Sequence, residues 1–387
     1  SDVVRARVAM HGTKSDEGWQ ESVSRDGDTL GRQDKFSMRA TIDFAPNDGE
    51  TLLVRWTVDH WYDKSDSQAP QAIALTPQNQ LRAPNLTDAV EAFRPFLIDR
   101  GEDDPTKADW PDVLDWQVND SWWGTSLRTE WNMDDSTTLT VLGSAGRVAS
   151  DGTELSQTGL NVPNGEQLID AHINTSALEA RVNGEFSDTG TWMVGANWAE
   201  DSGKESHTVY AATASVLNAF GPPMLDIVGS KGETEAKSQG IFMHGDYGFA
   251  DAFRASLGLR YTKESRDFSG CEFVPANAVS TGVLETIFTG TANGRRATAG
   301  LDPIAQIQPG DCITLDERGI NDPPFHGTLN ENNLSGRIAL DWKPTEDHMF
   351  YGALMRGFKS GGFPVTNASE AKQYTPVTQE KLYAAEL

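Results

Sequence analysis

No apolar run in the sequence approaches the roughly 18 residues that a membrane-crossing helix needs, and the mean hydropathy is −0.48. That absence excludes a helical span. It leaves open a membrane barrel, whose strands are only about 10 residues long and alternate in polarity. Cysteine is scarce: Cys271 and Cys312 are the only two in 387 residues. No C-x-x-C spacing or histidine cluster accompanies them, which argues against a metal centre. A disulfide pinning one long, polar, glycine-rich loop, and hence an oxidising compartment, is the better reading. Basic charge is also short, with 32 Lys and Arg against 57 Asp and Glu for a net charge of −25. Such a surface repels nucleic acid, whose binding requires cations against phosphates. It serves either as a solvated, solubilising surface or as acidic loops that meet cations. Catalytic signatures are missing: Gly-x-Ser-x-Gly, His-Glu-x-x-His and phosphate-loop patterns do not occur. Lys359-Ser360-Gly361-Gly362 is glycine-rich, but no helix follows it to complete a phosphate cradle. Neither an enzyme nor a cofactor site is expected.

What the chain does have is strict alternation. Phe36, Met38, Ala40, Ile42 and Phe44 share one face, and Lys35, Ser37, Arg39, Thr41 and Asp43 the other. After the turn Pro46-Asn47-Asp48-Gly49, Leu52, Val54, Trp56 and Val58 oppose Arg55, Thr57 and Asp59, which makes a hairpin. The unit recurs at 123–133, 139–145, 178–186, 192–198, 241–247, 253–261 and 334–343. In 349–355 Met349, Tyr351, Ala353 and Met355 read as the apolar face. With Val4 to Met10 and the stretch from Glu380, about a dozen strands are expected. Short turns at 46–50, 134–136, 187–190, 248–251 and 344–347 alternate with long polar segments at 14–34, 63–120, 146–173, 200–238, 265–332 and 359–379. In an up-and-down sheet this gathers all tight turns at one end and all long loops at the other, the plan of bacterial outer-membrane barrels.

A soluble β-sandwich also alternates. Aromatic residues near strand ends on the apolar face (Phe44, Trp56, Trp131, Trp192, Trp198, Tyr247, Tyr261, Trp342, Tyr351) favour the membrane, where interfacial girdles are aromatic. On that reading Arg39, Asp43, Arg55, Asp59, Arg128, Glu130, Arg181, Arg260, Arg337 and Asp341 face the lumen. Phe36, Met38, Ile42, Val54, Leu127, Val182, Leu257 and Ile338 face lipid.

The segment Leu257-Gly258-Leu259-Arg260-Tyr261-Thr262-Lys263-Glu264 resembles a strand common in TonB-dependent outer-membrane receptors. So do Met349 to Phe363, with Arg356-Gly357-Phe358-Lys359-Ser360-Gly361-Gly362-Phe363 at its end, and Glu380 to Leu387. The resemblance implies an all-β transmembrane antiparallel barrel of about 22 strands with an N-terminal plug. Residues 1–387 would be a central part of that barrel. About two strands would precede it and about eight follow, with plug, TonB-contacting box and C-terminal strands outside this sequence. The implied function is energised import of a scarce solute, most often a ferric siderophore, across the outer membrane of a Gram-negative bacterium. Its partners would be the TonB complex, the solute and outer-membrane lipid. A passive porin-type channel and a soluble carbohydrate-binding or adhesive β-sandwich are the alternatives. Candidate substrate contacts are Trp110, Trp116, Trp122, Arg356 and Lys359, aromatic and basic groups on the long loops or upper wall. Packing in a girdle or a loop would use the same side chains.

Overall fold

The computed structural model describes residues 3–71, 104–155, 159–161, 165–210, 227–276, 278, 282–319, 324–364 and 368–387. Its strands begin with β1 (Val4–Lys14), β2 (Gln20–Ser22), β3 (Thr29–Leu30), β4 (Asp34–Phe44), β5 (Leu52–Asp63), β6 (Lys107–Ala108), β7 (Asp120–Asn132) and β8 (Thr137–Leu155). They continue with β9 (Glu166–Ser187), β10 (Gly190–Tyr210), β11 (Ile227–Ala250), β12 (Phe253–Phe273), β13 (Phe325–Thr345), β14 (His348–Lys359) and β15 (Glu380–Glu386). A helix, α1, spans Val283–Thr298.

Twelve strands form one antiparallel sheet in the order β1-β4-β5-β7-β8-β9-β10-β11-β12-β13-β14-β15, each beside its neighbour in sequence. The short β2, β3 and β6 make a separate sheet in the loops. Tight connections alternate with long ones, so the turns share one end of the sheet and the loops the other. In the first turn Asn47 and Asp48 adopt φ of 53° and 54° and Gly49 a φ of 88°. Asn and Asp tolerate the left-handed region best among non-glycine residues, which is why this sequence turns there.

Register settles the faces. Ile42 lies opposite Trp56 and Trp56 opposite Leu127, while Asp43 lies opposite Arg55 and Arg55 opposite Arg128. Carried strand to strand, all ten charged residues expected to face the lumen share one face. All eight expected to face lipid share the other. Among the described residues no second sheet covers the apolar face: Ile338 is 57% exposed and Leu127 49%. A sandwich would have buried both, so that alternative fails. Near the tight turns the apolar face carries a run of touching rings, Phe253 with Trp342 at 6.1 Å, Trp342 with Phe350 at 5.4 Å and Phe186 with Tyr247 at 5.4 Å. The distance from Tyr261 to Phe253 is roughly 26 Å along the strand. A tilt of about 40° reduces it to roughly 20 Å, the scale of a lipid-facing band between girdles.

Two expectations are corrected. In β14 the faces are inverted: Met355 pairs with Arg337 and Tyr351 with Asp341 on the charged face, while Phe350 and Leu354 join Trp342 and Ile338. Both alternate sets of this strand are apolar, so alternation could not choose between them. The register shift between Trp342 and Thr345 decides. Secondly, much of the expected loop sequence is strand. β8 to β13 run for 19, 22, 21, 24, 21 and 21 residues, about twice the 9–11 that cross a bilayer. Their upper halves, such as Glu200 to Tyr210, are wet on both faces and show no apolar alternation to read.

Candidate functional site

Five arginines of the charged face meet a carboxylate or amide there. Arg55 holds Asp43 through two hydrogen bonds of 2.7 and 2.8 Å. Arg39 pairs with Asp59 across the strands, Arg128 with Glu130, and Arg181 with Glu179 at 2.9 Å. Arg260 donates to Asn197 Oδ1 at 2.6 Å and lies over the Phe242 ring at 5.5 Å. The result is a cross-braced polar wall.

Toward the loop end this wall opens into a groove of about 710 Å³ lined by Arg7, His11, Arg39, Asp59, Trp61 and Trp122. Trp61 and Trp122 are direct cross-strand partners. Gly124 and Gly146 make room for the Trp122 indole, since a Cβ at either position would overlap it. The ring therefore lies along the wall, so a planar ligand can stack on its open side.

The structure disperses the five expected contacts. Trp122 lies in the groove. Lys359 stands exposed at the loop end of β14, on the charged face by alternation from Met355. Trp110 and Trp116 are only 2% and 3% exposed, packed with Leu30, Ala69 and Ala108 in the loop layer. Arg25 covers Trp110 at 5.3 Å, and Trp116 Nε1 donates to the Pro111 carbonyl at 3.0 Å. Neither offers a face to a ligand, because each holds a loop together. Arg356 stands opposite Gly336 and Tyr383, on the apolar face. Arg7, His11 and Trp61 line the same groove and were not among the expected contacts. Their signal was present in the alternation of β1 and β5, which places them on the same face as Arg39.

Above the wall, Cys271 and Cys312 are joined with Cα atoms 5.6 Å apart, and their bond closes the expected loop. That loop contains α1, which the sequence reading left as coil. Leu284 and Phe288 on α1 pack on a core of Ile227, Val274, Ala278, Ile307 and Ile313. Glu285 starts the helix by accepting from Gly282 N at 2.7 Å. The next loop docks beside it. Leu315 N donates to Ser369 O at 3.0 Å and Ala371 N to Leu315 O at 2.9 Å, and Arg295 pairs with Glu370. Tyr374, 1% exposed, inserts among Phe268, Phe325 and Phe363.

Under this seam lies Glu272, whose backbone N–H donates to Thr314 Oγ1 at 2.9 Å. Burial pushes its carboxyl from 4.5 up to about 7. The nearby Tyr374 hydroxyl rises to about 12, chiefly through burial, with the Glu272 charge adding to it. Lys231, the partner of Cys271, lies on the opposite face with its ammonium over the Phe273 ring at 5.1 Å, so no compensation comes from it. Between about pH 4.5 and 7 the folded seam holds a proton that the unfolded chain has lost. The seam is therefore most stable below 4.5 and weakens as pH rises to about 7. At 1.36 kcal/mol per unit, discounted for partial hydration, the loss is about 1–3 kcal/mol. Hydrogen exchange in 310–316 and 368–374, corrected for intrinsic rates, should show faster opening at pH 8 than at pH 5. Glu272→Gln should flatten that dependence; a dependence that survives the substitution would place the proton elsewhere.

Residues 55–380 match the family described as TonB dependent receptor-like, beta-barrel. No curated protein matches the sequence. Among solved structures, the ferric yersiniabactin uptake receptor FyuA from Yersinia pestis is similar, with a TM-score of 0.64 and 11% identity over 99% of this chain and 46% of that one. The ferric-catecholate import receptor Fiu from K12 E. coli gives 0.54 and 10%, over 93% and 47%. The siderophore receptor PiuA from Acinetobacter baumannii gives 0.54 and 10%, over 93% and 46%. The chain thus spans about half the length of the structures it matches, and at these identities the likeness is one of fold.

Proposed function

The chain belongs to the TonB-dependent receptor β-barrel family, whose members are transporters rather than enzymes, and on that premise we propose that it forms part of an outer-membrane importer of ferric siderophores. The observation that carries the reading is the groove of about 710 Å³, where Arg7 and the Arg39–Asp59 pair set charge beside the stacking surfaces of His11, Trp61 and Trp122. An anionic chelate with planar groups satisfies both. The related structures named for ferric yersiniabactin and ferric-catecholate import support the same ligand class. Such a solute is too dilute and bulky for passive diffusion. It needs tight capture outside and work from the inner membrane for release, which assigns the TonB complex and an upstream plug as partners.

The test is radioiron uptake from a panel of ferric siderophores, in cells whose sole such receptor is the full-length protein. Uptake should be saturable and stop when a protonophore collapses the inner-membrane gradient. Uptake that continues unchanged would indicate a passive channel, and no uptake of any siderophore would sink the reading. Trp122→Ala should raise the half-saturating concentration about tenfold, the worth of one aromatic contact. Trp110→Ala should not weaken binding in folded protein.

A further inference from the structure

On the charged face of β12 and β13 two side-chain oxygens lack a donor. Glu264 and Glu331 are direct cross-strand partners there, and Thr262 and Asn333 form the next pair toward the tight turns. Asn333 is 3% exposed, and neither its Oδ1 nor the buried Oε2 of Glu264 has a hydrogen-bond partner among the described residues. A buried acceptor left unmet is costly, so such a pair marks a place that something fills.

Gln379 fixes the direction of Asn333. Its Nε2 donates to Asn332 O at 3.2 Å, which leaves its Oε1 to accept from Asn333 Nδ2 at 2.6 Å. With its amide nitrogen turned to the chain beyond β14, Asn333 turns its Oδ1 back toward β12. The same chain sets Glu331, whose Oε1 accepts from Gln379 N at 2.6 Å and whose Oε2 accepts from Gly361 N at 2.8 Å. Each of those oxygens keeps a further lone pair. Glu264 Oε1 meets only Ser238 Oγ, at 3.5 Å. The cations on this face are engaged elsewhere or stand off. Arg260 is turned to Asn197 and Thr262, while Arg266 and Lys359 make no ion pair with either carboxylate.

A bridging water would satisfy the two acceptors, but it would not offset two carboxylates that face each other across a strand pair and repel. A cation does both. We propose that Glu264, Glu331 and Asn333 bind one calcium ion, with water completing its shell. All three donors are oxygens, which suit a hard cation, whereas softer metals select nitrogen and sulfur. Their spacing is that of a sheet rather than an octahedron. Calcium tolerates such irregular, many-oxygen shells, and magnesium does not. Opposed side chains start about 5 Å apart at Cβ, close enough to share one ion at about 2.4 Å from each oxygen. Because Glu331 also holds Gly361 and Gln379, the ion would fasten both ends of the β14–β15 connection to the wall, whatever solute the groove takes.

The test uses the full-length receptor in detergent, stripped with a chelator, and calcium chloride as the probe. Calorimetric titration should show saturable binding with half-occupancy at roughly 0.1–1 mM, the range of extracellular calcium modules. Glu264→Gln, nearly unchanged in shape, should weaken binding at least tenfold. Asn333→Asp, which adds a third carboxylate, should tighten it. In the unaltered receptor, saturating calcium should slow amide exchange at Gly361 and Gln379 about tenfold, and magnesium at the same concentration should do less. No binding and no slowing in the unaltered receptor overturn the site and leave water as the bridge. An equal response to magnesium overturns the choice of ion. Calcium binding that Glu264→Gln leaves unchanged places the ion elsewhere and overturns the assignment.

Discussion

Replacing Ile338 with arginine should cost the folded barrel about 2–4 kcal/mol, the largest penalty expected of any single lipid-facing substitution here. Ile338 stands between Leu257 and Leu354 on the apolar face, midway between the rows of Trp342 and Leu334, and is 57% exposed. An arginine there has the longest reach to either interface. Its penalty therefore approaches the midplane value rather than the near-zero cost at a girdle. Thr57→Arg is the matched control. Thr57 faces Thr41 and Ser126 on the charged face, where water and carboxylates are at hand, and should change stability by less than about 1 kcal/mol. Unfolding of the full-length receptor in bilayers would read a roughly thirty- to several-hundred-fold fall in the folded ratio for Ile338→Arg. Equal effects at the two positions would mean that the apolar face does not meet lipid.

Loss of the Cys271–Cys312 bond should release about 4 kcal/mol of restraint from the loop it closes, by the chain-entropy account of a 41-residue separation. The effect should be local. α1 and the core of Val274, Ile307 and Ile313 lie within or against that loop, whereas the β12–β13 ladder below is held by its own hydrogen bonds. In a Cys271→Ser, Cys312→Ser double variant, amide exchange in 283–298 and 304–313 should quicken by up to about a thousandfold. Exchange from Phe253 to Tyr261 should stay unchanged. A shift in the whole barrel's unfolding midpoint would show instead that the loop is part of the cooperative unit.

Legibility in the sequence followed how far a residue's surroundings were fixed by its neighbours in the chain. The faces of β4, β5, β7, β12 and β13 were readable because lipid and water impose opposite demands on successive residues. Where both faces meet water, as from Glu200 to Tyr210, that demand disappears and strand looks like loop. In β14 both faces are apolar, and only pairing with β13 distinguishes Tyr351 from Phe350. α1 carries Gly290, Gly294 and several threonines, each a weak helix former, so tertiary packing of Leu284 and Phe288 overrides its local preference. The site was half readable. Trp122 and the arginine faces followed from alternation, but the burial of Trp110 and Trp116 depends on Gln20, whose side chain bonds both backbone groups of Ala69 at 2.8 and 2.9 Å. Contacts across 49 residues leave no periodic trace.

The tall strands β8 to β13 bear on mechanics. Beyond the apolar band this flank is a sheet of six strands laced edge to edge, from Gly229 opposite Phe273 to Ser202 opposite Asn174. A laced sheet bends as a plate, and its stiffness resists displacement of one hairpin without its neighbours. A force applied at one hairpin tip is therefore shared sideways across the flank before it reaches the membrane. Antibodies or phage meeting this flank would encounter a rigid, jointly displayed surface spanning several hairpins, and binding there would carry little of the ordering entropy that separate loops impose.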